Sequence, residues 1–165
     1  MERAATTFEK LLKSLQPYPQ MQFLLFSERW GPLEEVLLEY AERNDHGILL
    51  YTIEAFPEDA LPDSARLSRR FYRKEQPRYN LQGRLYNHAF VFAEIPDAPE
   101  TFARKVYTGI ANAGGLYLLM NTEEPAKKQH WETSLIESNY VATSTLALDK
   151  KRLLLYARKM HGWGG

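Results

Sequence analysis

The sequence predicts an α/β fold with a doubly wound, mainly parallel sheet of about six to seven strands. Residues 86–121 indicate a strand, a helix and a strand, because a β-type run and a short apolar run flank an amphipathic segment. Residues 22–54 repeat this order. Residues 140–160 contain two β-type runs joined by a short polar turn, which predicts a closing antiparallel hairpin. Since strand–helix–strand units use right-handed crossovers, the first two segments predict a parallel sheet covered by helices on both faces.

The central unit starts with residues 89–95, whose β-formers predict a buried strand. Asp97 is placed to cap the helix that follows, and Glu100, three residues later, has the spacing of a capping box. Pro99 suits the first turn of that helix.

The same helix is predicted to end at Gly114 and Gly115, because glycine adopts the left-handed conformation of helix ends without strain. Residues 116–120 are too short for an ordinary helix and are typical of a buried parallel strand. The apolar stripe of the helix consists of Phe102, Val106 and Ile110.

The first unit follows an amphipathic helix predicted at residues 6–15. Residues 22–26 and 48–53 are short apolar runs that predict buried strands. Between them a helix is predicted from Pro32 to about Arg43, since proline is favoured in a first helical turn.

Residues 55–85 have the weakest pattern. Asp63 or Ser64 is placed to cap a short helix running to about Lys74, and residues 79–81 are a candidate edge strand. Further along, a helix is predicted at about residues 127–138. Its predicted inward-facing residues are Trp131, Leu135 and Ile136.

Composition predicts one domain over residues 1–165, with a helix and linker at 1–19 and a tail at 161–165. The 21 basic residues balance the 21 acidic residues, which argues against a bulk nucleic-acid binder. The chain has no cysteine, and its four histidines lack ligand spacing, so we expect no metal site. No apolar run reaches the roughly 18 residues of a membrane span, and the N-terminus lacks a signal-peptide pattern. We therefore expect a cytoplasmic protein.

Four features resemble the class I S-adenosylmethionine-dependent methyltransferases over about residues 20–160. Ala113-Gly114-Gly115-Leu116 is similar to the turn into the family's fifth strand. Ser138-Asn139-Tyr140 stands where the family often has a glycine–phenylalanine pair. Leu153 to Lys159 resembles the last strand, and Glu54 stands where an acidic residue closes the second strand.

This resemblance implies a Rossmann-like methyltransferase fold, a transferase activity and S-adenosylmethionine as the cofactor. It also implies that residues 152–160 lie antiparallel between residues 116–120 and residues 140–148. The methyl acceptor, the partners and the oligomeric state are not specified by the sequence.

The chain departs from the family at the loop after the first strand, where glycines let the backbone approach the cofactor. That loop is Ser27-Glu28-Arg29-Trp30-Gly31, and only Gly31 is a glycine. Residues 79–83 also lack the family's acidic residue before the central strand. Either the cofactor binds in an altered way, or Trp30 fills the crevice, Arg29 pairs with a nearby glutamate and the chain is a non-catalytic relative.

Topology places five candidate cofactor-binding residues at the carboxyl ends of the strands, where ligands bind in such sheets. Glu54 is a candidate acceptor for ribose hydroxyls, and Glu94 is its counterpart after the central strand. Both are also explained as solvated residues at strand ends, which is the commoner situation. The remaining candidates of the set are Ser27, Glu28 and Gly31.

Residues 66–84 form a basic stretch with interleaved aromatic residues and a single acid, Glu75. Basic and aromatic side chains together suit RNA or single-stranded DNA, through phosphate pairing and base stacking. A solvated surface paired with acids elsewhere explains the same stretch. The candidate nucleic-acid residues are Arg69, Arg70, Arg73 and Arg78.

Three functions therefore remain open from the sequence. The chain is a methyltransferase acting on an unknown nucleophile, a non-catalytic binding or assembly module of the same fold, or an RNA-binding accessory protein. Methyl transfer depends mostly on proximity and orientation, so the lack of an identifiable catalytic acid or base does not exclude an enzyme.

Overall fold

A computed structural model describes residues 2–15, 18–79 and 85–160. Seven strands form one sheet in the order β3-β2-β1-β4-β5-β7-β6. The strands are β1 (Gln22–Ser27), β2 (Gly47–Thr52), β3 (Leu67–Phe71), β4 (Tyr86–Phe92), β5 (Ile110–Asn121), β6 (Tyr140–Ala147) and β7 (Arg152–Lys159). The helices are α1 (Glu2–Ser14), α2 (Pro32–Arg43), α3 (Pro99–Gly109) and α4 (Pro125–Glu137), and a 3-10 turn lies at Glu58–Ala60.

The strand pairing confirms the predicted fold class. β1 pairs in parallel with β2 and β4, and the parallel ladder continues outward to β3 and β5. β7 is antiparallel to both of its neighbours, with Leu155 opposite Leu118 of β5 and Thr145 of β6. The predicted insertion of the last strand between β5 and β6 is therefore confirmed.

Alternation along the strands creates an apolar core on each face of the sheet. In β1, Phe23 and Leu25 pack with residues of α1 and α2, while Leu24 and Phe26 pack with residues of α3 and α4. Because a parallel sheet buries both faces, its strands are nearly continuous apolar runs, and this made β1 and β2 recognisable in the sequence.

The helix predicted from residue 63 or 64 to Lys74 is wrong, because that part of the chain contains β3. β3 pairs with β2 from Leu67 opposite Ile48 to Phe71 opposite Thr52. Residues four apart share a face in a strand as well as in a helix, so Leu67 and Phe71 were compatible with both structures. The candidate edge strand at 79–81 lies outside the described residues except for Tyr79, which is in a bend.

The predicted end of α3 is also wrong. The helix ends at Gly109, and Ile110 already belongs to β5. Ala113 has φ of 67°, and a Cβ added at Gly114 would collide with the backbone carbonyl of Asn87 in β4. These glycines therefore serve an irregular stretch of strand where two backbones approach closely.

Asp97 does not cap α3. The N-cap residue is Ala98, which makes no side-chain cap, and Glu100 completes no capping box. Asp97 is instead buried and accepts hydrogen bonds from the Tyr72 hydroxyl and from Lys105 Nζ, the latter at 3.0 Å. The Asp97 side chain, which local spacing assigned to the helix end, thus makes tertiary contacts instead.

The helix predicted at 127–138 is α4, and two of its three inward residues are confirmed. Trp131 and Leu135 are buried in the core between α4 and the sheet. Ile136 is 63% exposed, so its inward placement is wrong. It follows Leu135 by one residue and is therefore turned about 100° away from the sheet.

Two histidines, buried His46 and half-buried His88, accept hydrogen bonds from the backbone. Nδ1 of His88 accepts the backbone N–H of Gly115 at 3.0 Å, and Nδ1 of His46 accepts that of Met21 at 2.9 Å. Burial lowers the pKa of both, in His88 to about 4. Among the described residues, no three histidine or carboxylate side chains group as metal ligands, and no helix has the length and apolar character needed to cross a membrane.

Candidate functional site

A crevice of about 330 Å³ opens at the carboxyl ends of β1, β2 and β4. β1 lies between β2 and β4, where the strand order reverses, and such a point is the usual ligand site of doubly wound sheets. Ile53 and Ile95 close the inner side of the crevice and belong to the apolar core under α3 and α4. The remaining lining residues are Glu28, Glu54, Ala55, Glu94 and Pro96.

Glu54 is placed by the end of β2. The Ile53 N–H donates to the Ser27 carbonyl at 3.0 Å, which continues the β1–β2 ladder up to the crevice. The chain then turns sharply, since Glu54 has φ of 48°, and its carboxylate is exposed. A left-handed backbone is unfavourable for glutamate, and such strain is concentrated at functional sites.

Two other carboxylates share the crevice with Glu54. Glu28 directly follows β1, and Glu94 follows β4 by two residues. Glu94 is 71% exposed and pairs with Lys127 of α4. Three of the five predicted cofactor-binding residues therefore lie around one opening, as expected from their positions after neighbouring strands.

Ser27 and Gly31 do not line the crevice, and their polar groups bond to Glu34 instead. The Ser27 hydroxyl lies 2.6 Å from Glu34 Oε2, and the Gly31 N–H donates to Glu34 Oε1 at 3.2 Å. Glu34 is only 6% exposed. A carboxyl group of the chain itself thus occupies the amino end of α2, where an anionic ligand group would otherwise be favoured.

Sequence reasoning missed Glu34, although a signal for it was present. A glutamate three residues after Gly31 has the spacing of a capping box, in which the side chain reaches back to the N-cap N–H. The absence of a serine or threonine at position 31 hid the pattern.

The hydrogen bonds around Ser27 favour a protonated Glu34. The Ser27 Oγ is 2.6 Å from both the Arg29 carbonyl oxygen and Glu34 Oε2, and one hydroxyl hydrogen cannot be donated to both. A protonated Glu34 solves this by donating to Ser27. Burial raises the pKa of Glu34 above its ordinary value of 4.5, and hydrogen bonds from Ser27 and Gly31 and the charge of Arg29 offset the rise only in part.

We expect Glu34→Gln to make the fold less sensitive to pH. Because the folded-state pKa of Glu34 is above its unfolded value, folding stability falls as pH rises from about 4.5 through the folded pKa. Glutamine keeps both hydrogen bonds without titrating. Over that pH interval, the free energy of unfolding of Glu34→Gln should therefore rise relative to that of the wild type. The rise should be about 1.4 kcal/mol for each unit by which the folded-state pKa of Glu34 exceeds its unfolded value.

Urea unfolding of both proteins between about pH 4 and pH 8 measures this difference. The exposed neighbour provides the control, because Glu35→Gln makes the same chemical replacement outside the buried network. A constant gap between Glu34→Gln and the wild type across this range would contradict the prediction.

Trp30 and Arg29 take positions different from those expected for a filled crevice. The Trp30 ring is half-buried against the apolar core shared by α1 and α2, its Nε1–H donates to Glu35 Oε2 at 2.8 Å, and it does not line the crevice. Arg29 is exposed and forms no ion pair with a described residue. The suggested plug and ion pair are therefore wrong.

Hydrogen bonds that involve Asp97 hold the segment at residues 72–79 beside the crevice. Lys105 of α3 donates to Asp97 at 3.0 Å and to the Lys74 carbonyl at 2.6 Å. Burial, strengthened by the hydrogen bond to Asp97, raises the pKa of Tyr72 well above its ordinary range, so its hydroxyl stays a neutral donor. This network holds the residues that follow β3 against α3.

The candidate nucleic-acid residues lie at the β3 edge, away from the crevice. Arg69 is paired with Glu58 at 2.6 Å and lies over the ring of Phe71. Arg70, Arg73 and Arg78 are exposed and line one cleft with Phe71. Arg84, at the end of the basic stretch, lies outside the described residues.

No family model matches this chain, and no curated protein matches it. Solved structures, however, are similar to this chain. The Methanococcus jannaschii fibrillarin pre-rRNA processing protein is similar with a TM-score of 0.70 and 11% identity, covering 98% of this chain and 77% of its own. A chain of the complex between the Haloferax volcanii Trm112 methyltransferase activator and a putative methyltransferase has a TM-score of 0.68 and 12% identity, covering 97% and 92%.

Human N-acetylserotonin methyltransferase in complex with SAM is similar with a TM-score of 0.64 and 10% identity, over 96% of this chain and 51% of its own length. The chain thus spans about half of that enzyme. Identities this low report a shared fold. This chain has the class I S-adenosylmethionine-dependent methyltransferase fold.

Proposed function

We propose that this chain binds S-adenosylmethionine in the crevice formed by β1, β2 and β4 and acts as a methyltransferase. The observation that carries the proposal is Glu54, an exposed carboxylate on a left-handed backbone at the end of β2, beside the reversal point of a methyltransferase-type sheet. A carboxylate at this point of a dinucleotide-binding sheet accepts hydrogen bonds from ribose hydroxyls.

The charges of the crevice suit a cationic ligand. Glu28, Glu54 and Glu94 line it, and among the described residues a cation pairs with Glu94 alone of the three. Bound S-adenosylmethionine supplies a methyl group on a positively charged sulfur, and transfer of that methyl leaves a neutral thioether. Since opposite charges a few ångströms apart attract by about 1 kcal/mol in water, the crevice should favour S-adenosylmethionine over S-adenosylhomocysteine by a few-fold.

The adenosyl end of the ligand should carry most of the affinity. Ser27 Oγ and the Gly31 N–H, which face the amino end of α2, are already bonded to Glu34. A ligand carboxylate therefore finds fewer free donors there than at an open helix end. Adenosine should consequently compete for the site.

We expect Glu54→Ala to weaken binding of S-adenosylmethionine by about ten- to a hundredfold, because a hydrogen bond to a charged group contributes roughly 1.5–3 kcal/mol. Isothermal titration calorimetry measures the dissociation constants of both proteins. Asp59→Ala is the matched control, since it removes an exposed carboxylate five residues further along. A wild-type protein that gives no heat with millimolar S-adenosylmethionine or S-adenosylhomocysteine would refute the proposal.

A second function is favoured by the loop after β1. Glu28, Arg29 and Trp30 stand where glycines would let a cofactor approach, and Glu34 occupies the amino end of α2. These features suit a non-catalytic binding or assembly module. Calorimetry separates the two functions. If the chain is a module without a cofactor, titration with S-adenosylmethionine should give a flat isotherm for the wild type and for Glu54→Ala alike.

A further inference from the structure

The outer edge of the sheet at β3 carries several arginine side chains. β3 pairs only with β2, and in the described part of the chain no helix follows it before β4. Two open clefts lie along it. The cleft at its amino end measures about 670 Å³ and the cleft beyond its carboxyl end about 590 Å³, and Arg70 lines both. We call these two clefts and β3 the basic edge.

We propose that the basic edge binds single-stranded nucleic acid. This inference does not depend on the proposed function, because the basic edge shares no lining residue with the crevice. Its support comes from the arginines that form no ion pair with a described residue, the exposed aromatic ring and the sign of the charge along the surface.

The arginines of the basic edge differ in whether they are paired. Arg66 bonds to Asp45 at 2.7 Å and Arg69 bonds to Glu58 at 2.6 Å. Arg70, Arg73 and Arg78 are exposed, and no described residue forms an ion pair with them. These three guanidinium groups are therefore available to phosphates, which they can bind with paired N–H donors.

Phe71 provides a stacking surface between these arginines. Its side chain is 61% exposed, which is unusual for a phenylalanine next to an otherwise well-packed core. The Arg69 guanidinium lies 4.3 Å from the ring centroid, which supports one side of the ring. An exposed ring among cations suits an unpaired base, because every base has a face that can stack.

The distribution of charge favours a nucleic acid over an acidic polypeptide. No described carboxylate lines the amino-end cleft, and Glu75 is the single one in the other cleft. The cations in and after β3 match the phosphates of a nucleic-acid backbone, and the ring among them matches its bases. Tyr72 and Tyr79, the other aromatic residues of the stretch, are turned into the core and cannot contribute.

The test uses fluorescence anisotropy with labelled oligo(U) and oligo(dT) of about 12 nucleotides, within the range of single-strand sites. We expect binding at low salt with a slope of log K against log salt near −2, since each of three phosphate contacts contributes about −0.7. Arg70→Glu/Arg73→Glu should weaken binding at least about tenfold and flatten this slope.

Phe71→Ala should weaken binding about tenfold, the effect of losing one stacked base. An abasic strand of the same length separates stacking from charge, because Phe71→Ala should leave its affinity unchanged. Circular dichroism melts check that the variants fold, and Arg70→Gln/Arg73→Gln replaces the reversed pair if that pair does not fold.

Lys150→Glu/Lys151→Glu is the matched control, because it changes the net charge equally in the β6–β7 turn at the opposite side of the sheet. Retained affinity in this variant supports the proposal. The proposal would be overturned if the two reversed pairs weakened binding equally, or if neither oligonucleotide bound at about 20 mM salt. Tighter binding of polyglutamate than of oligo(U) would also overturn the proposal.

Discussion

Replacing Phe26 with alanine is expected to lower the free energy of unfolding by about 3–5 kcal/mol. Phe26 is fully buried at the carboxyl end of β1. Its ring lies 5.0 Å from that of Phe102 and 5.3 Å from those of Tyr51 and Tyr79, measured between centroids. These rings come from β2, α3 and the segment after β3, so one truncation removes the contact that joins three parts of the fold.

Urea unfolding of wild type and Phe26→Ala measures this loss. Phe71→Ala is the control, because the same group is removed from an exposed position and should change stability by less than about 1 kcal/mol. A loss below about 1.5 kcal/mol for Phe26→Ala would mean that the surrounding rings collapse into the space left. The aromatic contacts would then not be a rigid part of the core.

The central sheet was predictable because its strands bury both faces. The runs at residues 22–26 and 48–53 are apolar at every position or nearly so, and a parallel sheet between two layers of helices is where short runs of this kind occur. Pro32 correctly indicated the start of α2. The polar turn between β6 and β7 correctly indicated a hairpin, although the place of β7 next to β5 came from the family resemblance.

Two of the failures, the helix at residues 63–74 and the Asp97 cap, have one physical cause, which is that distant contacts decided structures that local spacing left ambiguous. Leu67 and Phe71 fit a helix or a strand, and pairing with β2 selected the strand. Asp97 fits a helix cap, but Tyr72 and Lys105 bind it more favourably in the interior. Neither partner can be read from the residues next to Asp97.

The candidate site was partly predictable for a topological reason. Residues that follow β1, β2 and β4 must meet at one edge of the sheet, and so Glu28, Glu54 and Glu94 were correctly expected to lie together. Their role toward a ligand stays a prediction. The Glu34 network was not foreseen, because it depends on the path of the loop between Ser27 and Gly31 rather than on any strand end.

Asp97→Ala is expected to cost about 3–5 kcal/mol of folding stability, the usual loss when one partner of a buried ion pair is removed. The side chains of Asp97 and Lys105 are 3% and 11% exposed. Without Asp97, the Lys105 ammonium stays in a largely dry site with the Lys74 carbonyl at 2.6 Å as its remaining acceptor. The Tyr72 hydroxyl also loses its acceptor.

Two comparisons test this explanation by urea unfolding. Glu94→Ala removes an acid from an exposed ion pair with Lys127 and should change stability by less than about 1 kcal/mol, because water screens such a pair. Asp97→Ala/Lys105→Met removes both buried charges, so it should be more stable than Asp97→Ala alone. If the double variant is as unstable as the sum of its two single variants, no coupling exists between Asp97 and Lys105. The loss in Asp97→Ala would then belong to the hydrogen bond with Tyr72.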